Sequence, residues 1–129
     1  MPVPDAPQLH LLGAPRWIEG SSEVAFAPER PFQFLALLAC RRDWVGREEM
    51  AELLWPERSP QASRGNLRTL LLRAQKIAPG IVIEQQAGRL RWQPDSDLAR
   101  FDDAVRSGRH DDAVALYRGP LLHGLEPGL

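Results

Sequence analysis

The sequence predicts an α+β fold: an amino-terminal antiparallel sheet, three helices, a β-hairpin, and a closing pair of helices. Three observations predict it. Proline and glycine cut the 129 residues at Pro28/Pro31, Pro56/Pro60, Pro79/Gly80, Pro94 and Gly119/Pro120. Between the cuts the spacing of apolar side chains changes from part-alternating to helical, back to alternating, and to helical again. The charge also changes sign along the chain. Residues 1–57 carry five basic and nine acidic side chains, residues 58–94 seven basic and one acidic, and residues 95–129 four basic and seven acidic. A formal net charge of −1 therefore conceals segments of −4, +6 and −3.

Each element has its own warrant. Leu9 to Ala14, Arg16 to Glu19 and Glu23 to Ala27 are short apolar pieces separated by Gly13-Ala14-Pro15 and Gly20-Ser21-Ser22, the pattern of a small antiparallel sheet. After Pro31, the run Phe32 to Trp44 is apolar nearly all round, so its helix should be central and buried on most sides. Gly46 offers an N-cap and Glu48 and Glu49 suit the positive first turn. Met50, Leu53 and Leu54 then share a face until Trp55-Pro56. Ser59-Pro60 supplies an N-cap and an N1 proline for a third helix over 60–77, stopped by Pro79. Ile81 to Glu84 and Arg89 to Gln93 form a hairpin over 81–93, turning through Gln85 to Gly88. Its alternation puts Leu90 and Trp92 on one face and Arg89 and Arg91 on the other. Asp97 then caps a helix that ends at Gly108, and a second helix with Ala113, Val114 and Tyr117 ends at Gly119-Pro120. The closing segment is one αα-hairpin.

The third helix is the informative one. At 100° per residue, Ser63, Leu67, Leu70, Leu71, Ala74 and Ala78 gather on one side, while Gln61, Arg68, Thr69, Leu72, Arg73 and Lys76 lie across or beside the other. Strands, three helices and a hairpin in this order make a winged helix-turn-helix. A duplex major groove about 12 Å wide accepts one α-helix if cationic or hydrogen-bonding side chains project opposite its packing stripe. Gln61, Arg64, Arg68, Thr69, Arg73 and Lys76 are the candidate DNA contacts on the helix, with Arg89 and Arg91 reaching phosphate or the minor groove from the hairpin. Arg64 sits nearer the core boundary, where an acidic partner from the amino-terminal half would hold it, and ranks below Arg68. Leu72 either meets a thymine methyl or, the preferred reading, packs under the wing.

These residues resemble a known family. LHLLGAPRW, REEMAELLWPE, SRGNLRTLLLRAQKI and AGRLRWQPD followed by LARF look like the DNA-binding module of OmpR/PhoB-type winged-helix regulators, and most of all like SARP-type transcriptional activators. GRHDDAVALYRGPLL looks like the second helix of the first tetratricopeptide-like hairpin of their bacterial transcriptional activator domain. The resemblance covers residue 9 to about residue 123. It implies a DNA-binding domain over 1–94 and the start of an activator domain over 95–129. It further implies transcription regulation, in the direction of activation, through operator repeats bound by head-to-tail copies, and contact with RNA polymerase near the loop Trp55, Pro56, Glu57, Arg58 and Ser59. The chain departs from the family at Gly46, where a Ser or Thr is usual, and at Leu90, where an aromatic is usual. Neither position is on the proposed DNA face.

Other classes fare worse. His10, His110 and His123 have no metal-site spacing and accompany a single cysteine, so no metal or cofactor is expected. Asp102-Asp103 and Asp111-Asp112 fit solvated helix faces, and Ser21, Ser22 and Ser59 lack a base, so no catalytic residue and no enzyme is expected. Trp17, Trp44, Trp55 and Trp92 fall in apolar patterns or beside turns and read as core or boundary. Cys40 reads as a buried structural thiol. No stretch suits a membrane span and the amino terminus lacks a leader's apolar region, so a cytoplasmic protein without membrane partners is expected. The rival reading is a protein-interaction module, whose positive face binds an acidic partner or whose hairpin docks on another regulator subunit. A lone αα-hairpin cannot cover its own apolar face, and such arrays take about three repeats. Leu121, Leu122, Leu125 and Leu129 then fold back or meet residues of a longer chain.

Overall fold

The computed structural model describes residues 7–122. The chain mixes five helices with antiparallel sheets among these residues. Contacts gather it into two compact units, residues 7–28 with 94–122, and residues 29–93.

In the first unit, β1 (Gln8–His10), β2 (Arg16–Glu19) and β3 (Ser22–Ala25) form an antiparallel sheet in the order β1-β2-β3. Leu9 faces Trp17, and Trp17 faces Val24. β2 has the bounds expected, whereas β1 stops at His10, short of the apolar piece Leu9 to Ala14, because Leu11 and Leu12 leave the sheet for a different partner. That partner is the closing hairpin, α4 (Asp97–Arg106) and α5 (His110–Leu116). Leu9 N–H donates to the Asp95 carbonyl at 2.8 Å, and Leu122 N–H donates to the Leu11 carbonyl at 2.9 Å. Gly13 and Gly119 lie where these segments cross, and a Cβ on Gly119 would stand 3.2 Å from Gly13 Cα. Only glycine permits that approach without a shift.

Asp97 corrects an expectation. The N-cap of α4 is Ser96, whose Oγ accepts from Ala99 N–H at 3.1 Å. The Asp97 carboxylate is buried instead, accepting from Leu11 N–H at 2.7 Å and Leu12 N–H at 3.1 Å. Arg118 reaches it at 3.4 Å and also meets His10 Nδ1 at 2.9 Å. Burial, and then the Arg118 charge, hold His10 below its ordinary 6.5. The neutral imidazole accordingly accepts from the guanidinium. The outer side of the hairpin is apolar and uncovered among the described residues: Val114 is 72% exposed and Tyr117 53%. Leu121 bridges Leu12 yet stays exposed, and Leu125 and Leu129 lie outside the described residues.

In the second unit, α1 (Arg30–Arg41) buries Gln33, Phe34, Leu35, Ala36, Leu38 and Ala39, as an all-round apolar helix must. Each large side chain so buried stabilises by roughly 1.5–3 kcal/mol. Arg42 ends the helix in the left-handed region (φ 58°), with its N–H returning to Leu38. Cys40 is half-buried rather than buried. Gly46 caps α2 (Arg47–Leu54) by backbone conformation alone, and the face that α2 buries is Met50, Ala51 and Leu54. Leu53, expected inside, is exposed. The third helix, α3 (Pro60–Gln75), begins on Ser59, whose Oγ accepts from Ala62 N–H at 3.3 Å.

The hairpin is tighter than expected. β5 (Glu84–Gln86) and β6 (Arg89–Arg91) are joined by Ala87 and Gly88 alone, both at positive φ (50° and 76°). Positive φ at both central residues defines the type I′ turn whose twist matches paired strands. Ile81 and Ile83 are buried but belong to no strand, and Ile83 N–H goes to the Gln75 side chain instead. A short β4 (Val45–Gly46), absent from the sequence reading, pairs with β6 and makes the sheet β4-β6-β5. No helix among the described residues is long and apolar enough to cross a membrane.

Candidate nucleic-acid interface

The inner stripe of α3 is as the helical period requires: Ser63, Leu67, Leu70, Leu71 and Ala74 are all buried, and Ala78 beyond the helix is buried with them. They pack toward α1 and α2. That packing fixes the rotation of the helix and so decides what faces out. Gln61, Arg64, Arg68, Thr69, Arg73 and Lys76 are all exposed. At 1.5 Å per residue the 16-residue helix is about 24 Å long. The helix stops at Gln75, short of the 60–77 expected; its outer face carries Arg64, Arg68 and Arg73 and no carboxylate, and the C-cap Lys76 adds a fourth cation just past its end.

Arg58, Arg64, Arg68, Arg73, Lys76 and Arg89 have no ion-pair partner among the described residues. Arg64 is thus exposed and unpaired, not held by an acidic partner at the core boundary. Leu72 is 57% exposed in the middle of this face and does not pack under the hairpin. Both departures enlarge the accessible surface of α3.

Gly65 lies at the centre of the same face, and a Cβ built there meets nothing within 4 Å. Glycine in a solvated helix interior costs about 0.8–1 kcal/mol relative to alanine. Gly65→Ala should therefore raise stability by roughly 0.5–1 kcal/mol, read as a higher midpoint in urea unfolding. A lowered midpoint would show that the position is not open.

The hairpin divides its two arginines. Leu90 and Trp92 are buried, as alternation demands, and Arg89 is exposed near the turn. Arg91 is engaged instead. Its Nε and Nη2 donate to the two carboxylate oxygens of Glu84, each at 2.8 Å, and its guanidinium lies 4.4 Å from the Trp44 ring centroid. A four-residue turn over Gln85 to Gly88 would set Glu84 across from Arg89, so the trio is not legible in the sequence. With the turn on Ala87-Gly88 alone, Glu84 and Arg91 become direct cross-strand partners.

The loop between α2 and α3 presents Pro56, Glu57, Arg58 and Ser59 to solvent, with Trp55 half-buried. Trp55 and Arg58 help line an open cleft of about 480 Å³, together with Glu48, Glu52 and Arg64. Among the described residues no group of three or more His, Cys, Asp or Glu side chains is placed to hold a metal ion.

No protein-family model and no curated protein matches this chain. A solved structure does. Mycobacterium tuberculosis EmbR, in complex with a low affinity phosphopeptide, aligns with a TM-score of 0.69 and 23% identity, over 92% of this chain and 38% of its own. The chain thus spans well under half the length of that protein, and the likeness is one of fold.

Proposed function

We propose that this chain is the sequence-specific DNA-binding part of a SARP-like transcription regulator. In this reading α3 enters the major groove with Gln61, Arg64, Arg68, Thr69, Arg73 and Lys76, and the β5–β6 hairpin is the wing, with Arg89 beside the duplex. The reading takes residues 1–94 as the DNA-binding domain and residues 95–129 as the first, tetratricopeptide-like hairpin of an activator domain. Head-to-tail copies bind operator repeats, the loop 55–59 faces RNA polymerase, and the outcome is activation.

One observation carries the proposal: a helix whose core stripe is buried turns outward, together with its C-cap Lys76, a face of four cations without ion-pair partners among the described residues and two hydrogen-bonding side chains. A groove lined by phosphates is the partner such a face fits. The fold shared with Mycobacterium tuberculosis EmbR supports the reading.

The test is in vitro selection of bound duplexes from a random pool, preceded by titration of random duplex at low salt. Recovery of a repeated sequence is expected, and its spacing gives the stoichiometry. Absence of any association at low salt would overturn the reading in favour of an acidic protein partner for the same face.

A further inference from the structure

We propose that Glu84 is a specificity-determining residue that withholds Arg91 from DNA, so that non-specific affinity for duplex stays low. The inference rests on the DNA-binding reading and deepens it. Among residues 58–94 Glu84 is the single carboxylate against seven cations. It is spent wholly on one of them. Register places Glu84 directly across from Arg91, and the two make a two-point contact in which both carboxylate oxygens are used. Trp44, from the connection that follows α1, lies over the guanidinium and fixes its plane. With Nε and Nη2 on Glu84 and one face against the Trp44 ring, Arg91 carries a charge that is already neutralised and a fork that is already used, so it adds little attraction for a phosphate.

The pair stays charged at neutral pH, because the hydrogen bonds from Arg91 hold the Glu84 carboxyl below the usual carboxylate range. Arg89, two residues away on the same strand face, has no such partner among the described residues. Among the described residues the hairpin therefore presents one free cation rather than two. Sequence-independent attraction grows with each cation that meets a phosphate, by a salt slope of about 0.9 apiece. Removing one cation from that sum leaves discrimination to the groove contacts of α3.

The experiment measures affinity for random-sequence duplex between about 50 and 200 mM salt for the wild-type chain, Glu84→Gln, Arg91→Gln and the double variant. Glu84→Gln should bind roughly eightfold tighter near 0.1 M salt and show a slope steeper by about 0.9, one released counterion. Arg91→Gln should leave the slope unchanged, and the double variant should return to it. Circular dichroism checks that each variant is folded, and Arg91→Gln alone decides the matter if Glu84→Gln does not fold. A slope that falls by about 0.9 in Arg91→Gln would show that Arg91 already touches DNA and would overturn the proposal. So would a folded Glu84→Gln with wild-type affinity and slope. Wild-type chain that binds no duplex overturns this inference together with the reading beneath it, whereas wild-type binding with no effect of Glu84→Gln overturns the inference alone.

Discussion

Asp97→Ala is expected to lower stability by roughly 3–5 kcal/mol, as large an effect as any single side chain outside the apolar core should produce. The carboxylate is 5% exposed and is the acceptor for two successive backbone N–H groups, those of Leu11 and Leu12. Leu11 is fully buried and Leu12 nearly so, which leaves their N–H groups no water to turn to. Alanine would strand both donors and leave Arg118 without its carboxylate. Each stranded donor costs about 1–3 kcal/mol, against a total stability of about 5–15 kcal/mol for an ordinary domain. Arg118→Ala should cost much less, at most about 1 kcal/mol, since its own side chain is 46% exposed and its charge is screened. Urea midpoints at unchanged slope measure both. A loss below about 1 kcal/mol for Asp97→Ala would mean that the two N–H groups find other acceptors.

The role of Asp97 is not legible in the local sequence. A carboxylate before a helical period looks like an N-cap, and Ser96 beside it is an equally good one. Nothing local decides between them. The choice is made by Leu11 and Leu12, some 85 residues away, whose turn out of the first sheet brings two N–H groups to one oxygen each. Separation of that size also hides the pairing of Leu9 with Ser96 and of Leu12 with Leu121. The helices were legible because their signals are local: Gly46 and Ser59 cap where expected, Pro60 opens α3, and Gly108 closes α4 at positive φ.

For the candidate interface the same division holds. The 3.6-residue period alone placed Ser63, Leu67, Leu70, Leu71 and Ala74 inside and the cations outside, and each is where the period put it. Leu72 is apolar yet exposed because it lies opposite the packing stripe of α3, and Leu53 is exposed because α2 turns Ala51 inward with Met50 and Leu54, a choice that the i, i+3, i+4 spacing does not reveal. The Glu84, Arg91 and Trp44 trio needed the exact turn, since a shift of register exchanges every cross-strand partner.

Replacing Arg68 and Arg73 together by alanine should weaken binding to a selected duplex by roughly 2–6 kcal/mol, while each alone costs about 1–3 kcal/mol. The two lie five residues apart on α3, about 7.5 Å along the axis and about 140° around it, on opposite flanks of the exposed face. Sites so placed share no partner, and their effects should add to within about 0.5 kcal/mol. Stability should stay within about 0.5 kcal/mol of wild type, because both side chains are exposed and neither has an ion pair among the described residues. Lost affinity is then lost contact, not lost fold. The form of the loss identifies the contact. A side chain on a base edge weakens the selected sequence more than random duplex, whereas one on a phosphate weakens both alike and reduces the salt slope by about 0.9. A folded double variant that keeps wild-type affinity and slope on the selected duplex would remove α3 from the interface, and with it the major-groove assignment.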